Sequence, residues 1–518
     1  MKAKTRILFS SGLSVAVTLL VGYAGAVAQD AQQPPPVPGE ELPAGSEVLT
    51  AGPVHEAFAK PVTMDAEEPV LVPQQPPANL QEVPPAEQPA GAGIVWVPGY
   101  WAWAADRNDF VWVAGCWRNA PPNTYWVPGH WLQVSTGWEW IGGFWKPITS
   151  QAPQEIEYLP PPPAPFEVDA PGTPPEPDLT WVPGCWYWQD AHYIQRHGYW
   201  VAQQIGWVWV PSHFAWTPRG YIFVQGHWDH DMDNRGVLFC PAFFPHDVRV
   251  RAGFVFSPAV CVDLGMLRLN LFVYPRYRHY YFGDYYDDSY TRIGIVPWFR
   301  CQTIHTWYDP LFVYDRWHFQ KTDPHWAANL AHGFDQRHSN RELRPARTFT
   351  ELRVQMTRLP ANKRPERPLV EPVKTFAASQ HTQIKFERID NAERQQIAMK
   401  ATDVRGLRDQ RGQWETPKQA VQHAPEPPRT LEPKPKTKPE PSAKARPPTF
   451  VPARPVRATE PEKVTVPTMP RTPQPAQSRF IPKQPPSHPS QEQSHLAAKP
   501  QAGHESPPAK NEGREKVK

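Results

Sequence analysis

The densest group of side chains that could bind a metal ion lies at residues 227–233. Its members are His227, Asp229, His230, Asp231 and Asp233. The alternation of aspartates is similar to the start of a calcium-binding loop, in which carboxylates alternate as ligands. Such a loop needs glycine at its sixth position and glutamate at its twelfth, but these positions hold Asn234 and Cys240. We therefore predict an ordinary polar loop between strands, with no metal ion and no cofactor.

A second acidic group could act on a glycosidic bond. Asp284, Asp287 and Asp288 follow closely in a tyrosine-rich stretch at 280–288, and glycosidases use paired carboxylates as acid and base. Acids within one loop are expected to be solvated instead. The sequence also lacks the motifs of P-loop, dinucleotide-binding, zinc-protease and serine-hydrolase enzymes. We therefore expect no catalytic residue and no enzyme, and a hydrolase using the Asp-rich loops is only a remote alternative.

Aromatic side chains offer another kind of site, because an exposed ring is a flat apolar surface on which a sugar or a peptide can stack. The candidate residues for a ligand or partner surface are Tyr100, His130, Phe144 and Tyr199. Each occupies the variable position of a tryptophan repeat, as expected for a side chain that points to solvent or to a partner. Periodic tryptophans indicate a core more often than a binding surface.

The repeat that carries these residues has the pattern W-x-x-G-x-W and recurs every 14 to 16 residues in its first block. The residues expected to hold the repeat structure are Trp96, Gly99, Trp101, Trp112, Gly115, Trp117, Trp126, Gly129, Trp131, Trp140, Gly143, Trp145, Trp181, Gly184 and Trp186. Three partial copies follow at 195–200, 209–214 and 223–228. The repeats therefore form two blocks, at 94–147 and 179–230.

The centre of the motif has the signature of a tight turn. Pro128 followed by Gly129 fits a type II turn, in which glycine supplies a positive φ. A reversal there would place Trp126 opposite Trp131 on neighbouring strands. Further reversals are expected between motifs, at 105–108 and 134–137. The prediction is a mainly β fold of antiparallel meanders of short hairpins, with a few short helices; whether the blocks share one domain stays open.

These motifs resemble the W-x-x-G-x-W (YXWGXW) repeat family of exported bacterial proteins of uncharacterised function. The resemblance covers residues 96–228, with departures at Gln195, Ser212, Phe214 and Phe223. It implies a secreted or envelope location and no assigned activity.

The first residues predict export. Lys2, Lys4 and Arg6 precede an apolar run at 7–21 and a small-residue triplet at 26–28, which is typical of a secretory signal peptide cleaved after Ala28. No later segment is long and apolar enough to span a bilayer. We expect the mature protein in the periplasm, at the cell surface or outside the cell.

Proline dominates the rest of the chain, with 68 among 518 residues. We expect a disordered leader at 29–93, a linker at 148–178 and a disordered basic tail at 417–518, because so little apolar area cannot offset the entropy of ordering. Residues 231–345 are predicted to form short strands or irregular segments, with a helix after Asp323-Pro324. Residues 346–416 are predicted to be polar and partly helical, with a solvated helix or weak coiled coil after Val373.

Charge and cysteine content indicate which partners and cross-links to expect. A net charge of +3 and a basic tail favour anionic polymers or membrane surfaces over nucleic acid. Five cysteines, without a C-x-x-C, are expected to pack in the core with one or two disulfides. The leading hypothesis is a non-enzymatic structural or interaction protein whose partners are envelope polysaccharide or envelope proteins. The alternative is a carbohydrate- or peptide-binding module, and the oligomeric state stays open.

Overall fold

The computed structural model describes residues 42–64, 71–148, 156–165, 170, 172–303, 307–360, 362, 365–379 and 382–416. The predicted signal peptide at 1–28 and basic tail at 417–518 lie outside this range. Within the described residues, no helix is both long enough and apolar enough to cross a membrane.

The proline-rich stretch before the repeats is ordered where it is described. Its strands are β1 (Glu47–Val48), β2 (Gly52–Pro53), β3 (Val62–Thr63), β4 (Leu71–Val72), β5 (Gln81–Glu82) and β6 (Glu87–Pro89). Each pairs with a strand later in the chain, and Val54 and Phe58 are fully buried. The prediction of a disordered leader is therefore wrong for 42–64 and 71–93, because distant strands supply the hydrogen bonds and apolar contacts that the segment lacks by itself.

The repeats form four long hairpins, each built from two consecutive motifs. Hairpin 1 (94–119) contains β7 (Ile94–Val97), β8 (Tyr100–Ala104), β9 (Asp109–Val113) and β10 (Cys116–Asn119). Hairpin 2 (124–147) contains β11 (Thr124–Val127), β12 (His130–Val134), β13 (Gly137–Ile141) and β14 (Phe144–Pro147). Hairpin 3 (179–202) contains β15 (Leu179–Val182), β16 (Cys185–Gln189), β17 (His192–Arg196) and β18 (Tyr199–Ala202). Hairpin 4 (207–230) contains β19 (Trp207–Val210), β20 (His213–Thr217), β21 (Gly220–Val224) and β22 (His227–His230).

Strand pairing joins the two motifs of a hairpin to each other. In hairpin 2 Trp126 lies opposite Trp145 and Trp131 lies opposite Trp140. The predicted pairing of Trp126 with Trp131 is therefore wrong. The chain reverses between motifs, near 105–108 and 134–137 as predicted, and continues in the same direction through each motif with a short break in the ladder.

Glycine is required at this break for space and not for its backbone angles. The motif glycines are not among the residues with positive φ, so the predicted type II turn is wrong. Where a motif begins with tryptophan, this ring lies over the glycine of the facing motif. A Cβ atom on Gly143 would lie 2.3 Å from Cζ2 of Trp126, and one on Gly115 would lie 2.5 Å from Cζ2 of Trp96.

The departures in the second block preserve this pairing. Trp186 still faces Gln195, and Phe214 faces Phe223. Where Phe223 replaces the first tryptophan of a motif, Ser212 replaces the glycine of the facing motif. A phenyl ring is smaller than an indole, so the facing position can carry a hydroxymethyl group.

The region after the repeats mixes short strands with helices. Its elements are β23 (Gly236–Val237), β24 (Ala242–Phe243), α1 (His246–Arg249), β25 (Val255–Phe256), β26 (Val260–Val262), α2 (Leu264–Arg268), β27 (Leu271–Tyr274), β28 (His279–Phe282), α3 (Asp288–Arg292), β29 (Val296–Pro297), β30 (Trp307–Tyr308), α4 (Pro310–Phe319) and α5 (Trp326–Ser339). The helix predicted after Asp323-Pro324 is confirmed as α5. The apolar run at 309–314 is a helix and not a strand, because Asp309 caps it and accepts from the N–H of Phe312.

The last described region is partly helical, as predicted, but its longest helix is not simply solvated. Its elements are α6 (Phe349–Arg358), β31 (Val370–Pro372), α7 (Val373–Ala378), β32 (Phe386–Arg388) and α8 (Asn391–Glu415). Helix α8 packs against hairpins 1 and 2 and buries Ala401, Arg408, Arg411 and Glu415. The solvated-helix prediction failed because these charged side chains have polar partners elsewhere in the chain: Arg411 donates to hairpin 2, Arg408 donates to Asn79, and Glu415 accepts from Tyr158.

We expect Gly143→Ala to lower the free energy of unfolding by about 2 kcal/mol, the usual cost of forcing an extra carbon into a packed interior. The matched control is Gly406→Ala in α8, where no atom lies within 4 Å of the added Cβ and alanine favours the helix. Denaturant midpoints of the full chain, followed by circular dichroism, compare the two. Equal midpoints for Gly143→Ala and the native chain would contradict the packing role of this glycine.

Candidate functional site

Three of the four residues predicted to form a ligand surface are buried. Tyr100, His130 and Phe144 are 6%, 4% and 5% exposed, whereas Tyr199 is 43% exposed. The expectation that the variable position faces solvent is therefore wrong in hairpins 1 and 2. Those hairpins pack against each other, and the ring of Tyr100 stacks on that of Trp140 with centroids 4.7 Å apart.

The outer tryptophan pairs divide into two classes. Trp96–Trp117 of hairpin 1 and Trp126–Trp145 of hairpin 2 are buried in the two largest hydrophobic clusters. Trp181–Trp200 of hairpin 3 and Trp209–Trp228 of hairpin 4 have the same edge-to-face contact, at 5.4 and 5.1 Å, but remain half-buried. The outer tryptophan pairs that remain accessible are thus those of hairpins 3 and 4.

A buried carboxylate fills the break of hairpin 1. Glu82 accepts hydrogen bonds from the backbone N–H groups of Gly99 and Gly115, at 2.7 and 2.9 Å, and from Nε1 of Trp112 at 2.9 Å. Burial raises the pKa of Glu82, although these three donors act in the opposite direction. The carboxylate satisfies the glycine N–H groups that the break removes from the strand ladder.

Hairpin 2 has an equivalent carboxylate from a different part of the chain. Glu56 accepts from the N–H of Gly143 and from Nε1 of Trp140, both at 2.9 Å. His279 Nε2 lies 3.0 Å and Lys60 Nζ 3.8 Å from the same carboxylate. Burial alone would raise the pKa of Glu56, but Lys60 and His279 outweigh it and lower the pKa. Glu56 is therefore a buried anion.

In hairpin 4 the hydrogen-bond acceptor at the break is a side chain of the hairpin itself. Oγ of Ser212 accepts from the N–H of Gly226 at 2.9 Å and lies 3.0 Å from the hydroxyl of Tyr187 in hairpin 3. The serine that replaces the motif glycine thus provides an acceptor in place of a glutamate, and it joins hairpins 3 and 4.

Two of the residues considered as metal ligands, Asp229 and Asp233, are engaged by arginine. Asp229 is buried and accepts from Arg118 of hairpin 1 and from Arg235 at 2.8 Å. Although burial favours the neutral acid, these two guanidinium groups lower the pKa of Asp229. Asp231 caps a short 3₁₀ turn, and Asp233 pairs with Arg268 at 2.9 Å. Asp229 and Asp233 thus neutralise arginine, and the predicted polar loop is wrong for 227–230, which form β22.

Two of the acids considered for glycoside hydrolysis, Asp287 and Asp288, lie near the surface beside an arginine and a histidine. Asp287 is 2.9 Å from Arg341, and Asp288 is 2.9 Å from His338. The neighbouring tyrosines differ from the prediction of a polar loop, since Tyr280, Tyr281, Tyr285 and Tyr286 are buried. Their rings pack in the largest hydrophobic cluster.

Helix α8 also binds the backbone at the break of hairpin 2. Nη1 of Arg411 donates to the carbonyl oxygens of Pro128 and Gly142, both at 2.9 Å, and Nε donates to Glu415 at 2.7 Å. Arg411 and Glu415 are fully buried. His130 lies 3.7 Å from Glu415, and burial lowers the pKa of His130, with Arg411 and Arg408 acting in the same direction.

The cysteines do not form the expected disulfides. All five are free thiols, and four are buried. Burial raises the pKa of Cys185 to about 12 and raises those of the other thiols as well. A protonated, buried thiol is a poor nucleophile and a poor ligand, and no group of three metal-binding side chains occurs in the described part of the chain.

Sequence reasoning missed the residues that complete the hairpins, namely Glu56, Glu82, Arg118 and Arg411. They lie outside the motifs or at positions where charge usually marks a surface. No local pattern distinguishes Glu82 from its polar neighbours. The sequence offered only an indirect indication. The strand ladder is interrupted at each motif, and the glycine N–H groups there need hydrogen-bond acceptors from elsewhere in the chain.

We expect stability to fall as the pH drops from about 6.5 to 4, because buried histidines are held neutral. Burial lowers the pKa of His55 to about 4; its Nδ1 accepts from the N–H of Ala57, and its Nε2 donates to Pro98. The unfolded chain binds a proton in this range and the folded chain does not, so the loss is on the order of 3 kcal/mol at most for this residue.

Denaturant midpoints of the native chain, His55→Asn and the surface control His332→Asn, measured between these pH values, test this expectation. The denaturant midpoint of His55→Asn should depend less on pH than the midpoints of the other two proteins. An identical pH dependence in all three proteins would contradict the role of His55.

The comparisons with known proteins identify the repeat. A family model described as WXXGXW repeat (2 copies) matches residues 91–118, 180–201 and 205–229. No curated protein and no solved structure gives a significant match. The matched segments correspond to hairpins 1, 3 and 4, so two copies of the motif correspond to one hairpin, and hairpin 2 shows the same pairing. The chain thus carries the WXXGXW repeat, and each matched segment folds as one two-motif hairpin.

Proposed function

We propose that this protein is an exported, non-enzymatic structural or interaction protein of the cell envelope. The main support for the proposal is that the buried carboxylates bind groups of the protein itself. Glu56, Glu82 and Asp229 accept from glycine N–H, indole N–H and guanidinium groups, which supports a structural role for them. The predicted signal peptide supports export, and the tail at 417–518, rich in Lys and Arg, suits attachment to anionic envelope material.

A second candidate function is the binding of a carbohydrate or peptide by hairpin 3. The Trp181–Trp200 pair repeats the geometry of the buried pairs but stays half-buried. Leaving two indole rings partly in water costs apolar stabilisation. A partner that stacks on them would recover this stabilisation, so the Trp181–Trp200 pair favours a recognition role over a purely structural one.

Export predicts a shortened chain. Expressed with its leader in a bacterial host, the protein should lose residues 1–28 and begin at Gln29, because signal peptidase cleaves after small residues. Intact-mass measurement of protein from the periplasmic and extracellular fractions checks the cleavage site. Recovery of only the uncleaved chain from the cytoplasm would contradict the proposed location.

The binding candidate predicts that Trp200→Leu weakens retention on isolated cell-wall polysaccharide about tenfold, since a lost stacking ring costs roughly 1 kcal/mol or more. The control is Tyr125→Leu, which removes an exposed ring from hairpin 2 (36% exposed). Co-sedimentation of the full chain measures retention, and tryptophan emission reports direct contact. Equal retention of both variants and the native chain would leave hairpin 3 with a structural role alone.

A further inference from the structure

An apolar groove lies beside helix α6, where the helix meets β1, β25, β26 and β31. Its lining includes Phe349, Leu352 and Met356 from the helix, together with Phe256 and Val260 from the strands. Its free volume is about 1030 Å³, whereas pockets that bind a small ligand usually have about 300–1,000 Å³. The groove is therefore large enough to hold a stretch of extended chain.

The apolar face of α6 is only half-buried. Phe349, Leu352 and Met356 are spaced three and four residues apart, which places them on one side of a helix, yet none of the ten residues of α6 is buried. A helix of this length is marginal in water by itself and depends on the packing of its apolar face. A segment that filled the groove would remove this face from water and stabilise the helix.

The described part of the chain starts in the wall of this groove. Its first two residues, Leu42 and Pro43, both contribute to the lining. The residues directly before them in sequence are Pro34-Pro-Pro-Val-Pro38-Gly-Glu-Glu41, and the peptide bond to Leu42 holds them next to the groove. Eight extended residues reach about 28 Å at most, and a short tether of this kind gives an effective concentration on the order of millimolar.

The composition of residues 34–41 suits the groove. Four prolines among five residues favour the polyproline II conformation, which apolar grooves with aromatic walls bind at little cost in entropy. Gly39 allows the chain to bend between the prolines and Leu42. Glu40 and Glu41 are opposite in charge to Arg353, which lines the groove, is exposed and has no ion pair or hydrogen bond with another described residue.

We propose that residues 34–38, the run Pro-Pro-Pro-Val-Pro, dock in the groove beside α6, with Glu40 and Glu41 next to Arg353. Residues 42–64 are ordered in the same way, by strands and apolar surfaces far along the chain. The contact shields an apolar surface that other proteins could otherwise bind. The proposal goes beyond the envelope role and does not depend on export, because residues 34–41 are present before and after cleavage of the predicted signal peptide.

Hydrogen–deuterium exchange of the full chain, read by mass spectrometry over α6, tests the proposal. The variant Pro34→Ser/Pro35→Ser/Pro36→Ser/Val37→Ser/Pro38→Ser should exchange its α6 amides about tenfold faster, because the helix loses part of its cover. The matched control, Pro427→Ser/Pro428→Ser, changes prolines of the tail and should exchange like the native chain. A synthetic peptide of residues 29–41, added in excess to the five-serine variant, should slow the exchange again. Unchanged exchange in the five-serine variant, equal acceleration in the tail control, or a peptide without effect would overturn the proposal.

A change on the groove side tests whether the leader lies against α6. Met356→Glu puts a charge into the lining, whereas the matched control Val354→Glu changes an α6 side chain that is 42% exposed and outside the lining. Met356→Glu and the five-serine variant should accelerate exchange non-additively when combined, since both remove the same contact, and Val354→Glu should combine additively. Additive effects of Met356→Glu would overturn the proposal. Exchange that slows as the protein concentration rises would assign the groove to a second copy of the chain and overturn it as well.

Discussion

The packing of an indole ring over a facing glycine is the constraint on which the rest of this structure depends. The contact is reciprocal in hairpins 1 and 2, where the first tryptophan of each motif covers the glycine of the other. It fixes the register of the hairpin, because a slip of one residue would place the ring over a side chain. It also explains why each hairpin is built from two motifs, and why a serine fits at position 212 in the motif that faces Phe223.

Because of this contact, the repeats of hairpins 1 and 2 need hydrogen-bond acceptors from outside the motifs. Each break takes glycine N–H groups out of the ladder, and buried donors need acceptors. Hairpins 1 and 2 obtain theirs from Glu82 and Glu56, which precede the repeats in sequence. The proline-rich stretch before the repeats is therefore part of the fold, since it supplies the acceptors as well as short edge strands.

Arginine joins the hairpins to one another and to the rest of the chain. Arg118 connects hairpin 1 to Asp229 of hairpin 4 and lies over the ring of Trp145 in hairpin 2. Arg411 connects α8 to the break of hairpin 2. Buried charges of this kind are costly when left alone, so both guanidinium groups are held by acceptors on two or more elements. Hairpin 3 has no such buried arginine among its described residues and is the most exposed of the four.

The sequence by itself determined the repeat, its mainly β character, the reversals between motifs and the helix after Asp323, because these depend on local residue types and spacing. Only the tertiary structure decided how motifs pair, which aromatic side chains are exposed and which carboxylates complete the breaks. A Pro-Gly pair such as Pro128-Gly129 fits a turn and a strand break equally well, and the choice was made by the ring of Trp140 lying across it. Likewise, the order of residues 42–93 and the burial of Arg411 depend on partners far along the chain, which local patterns do not encode.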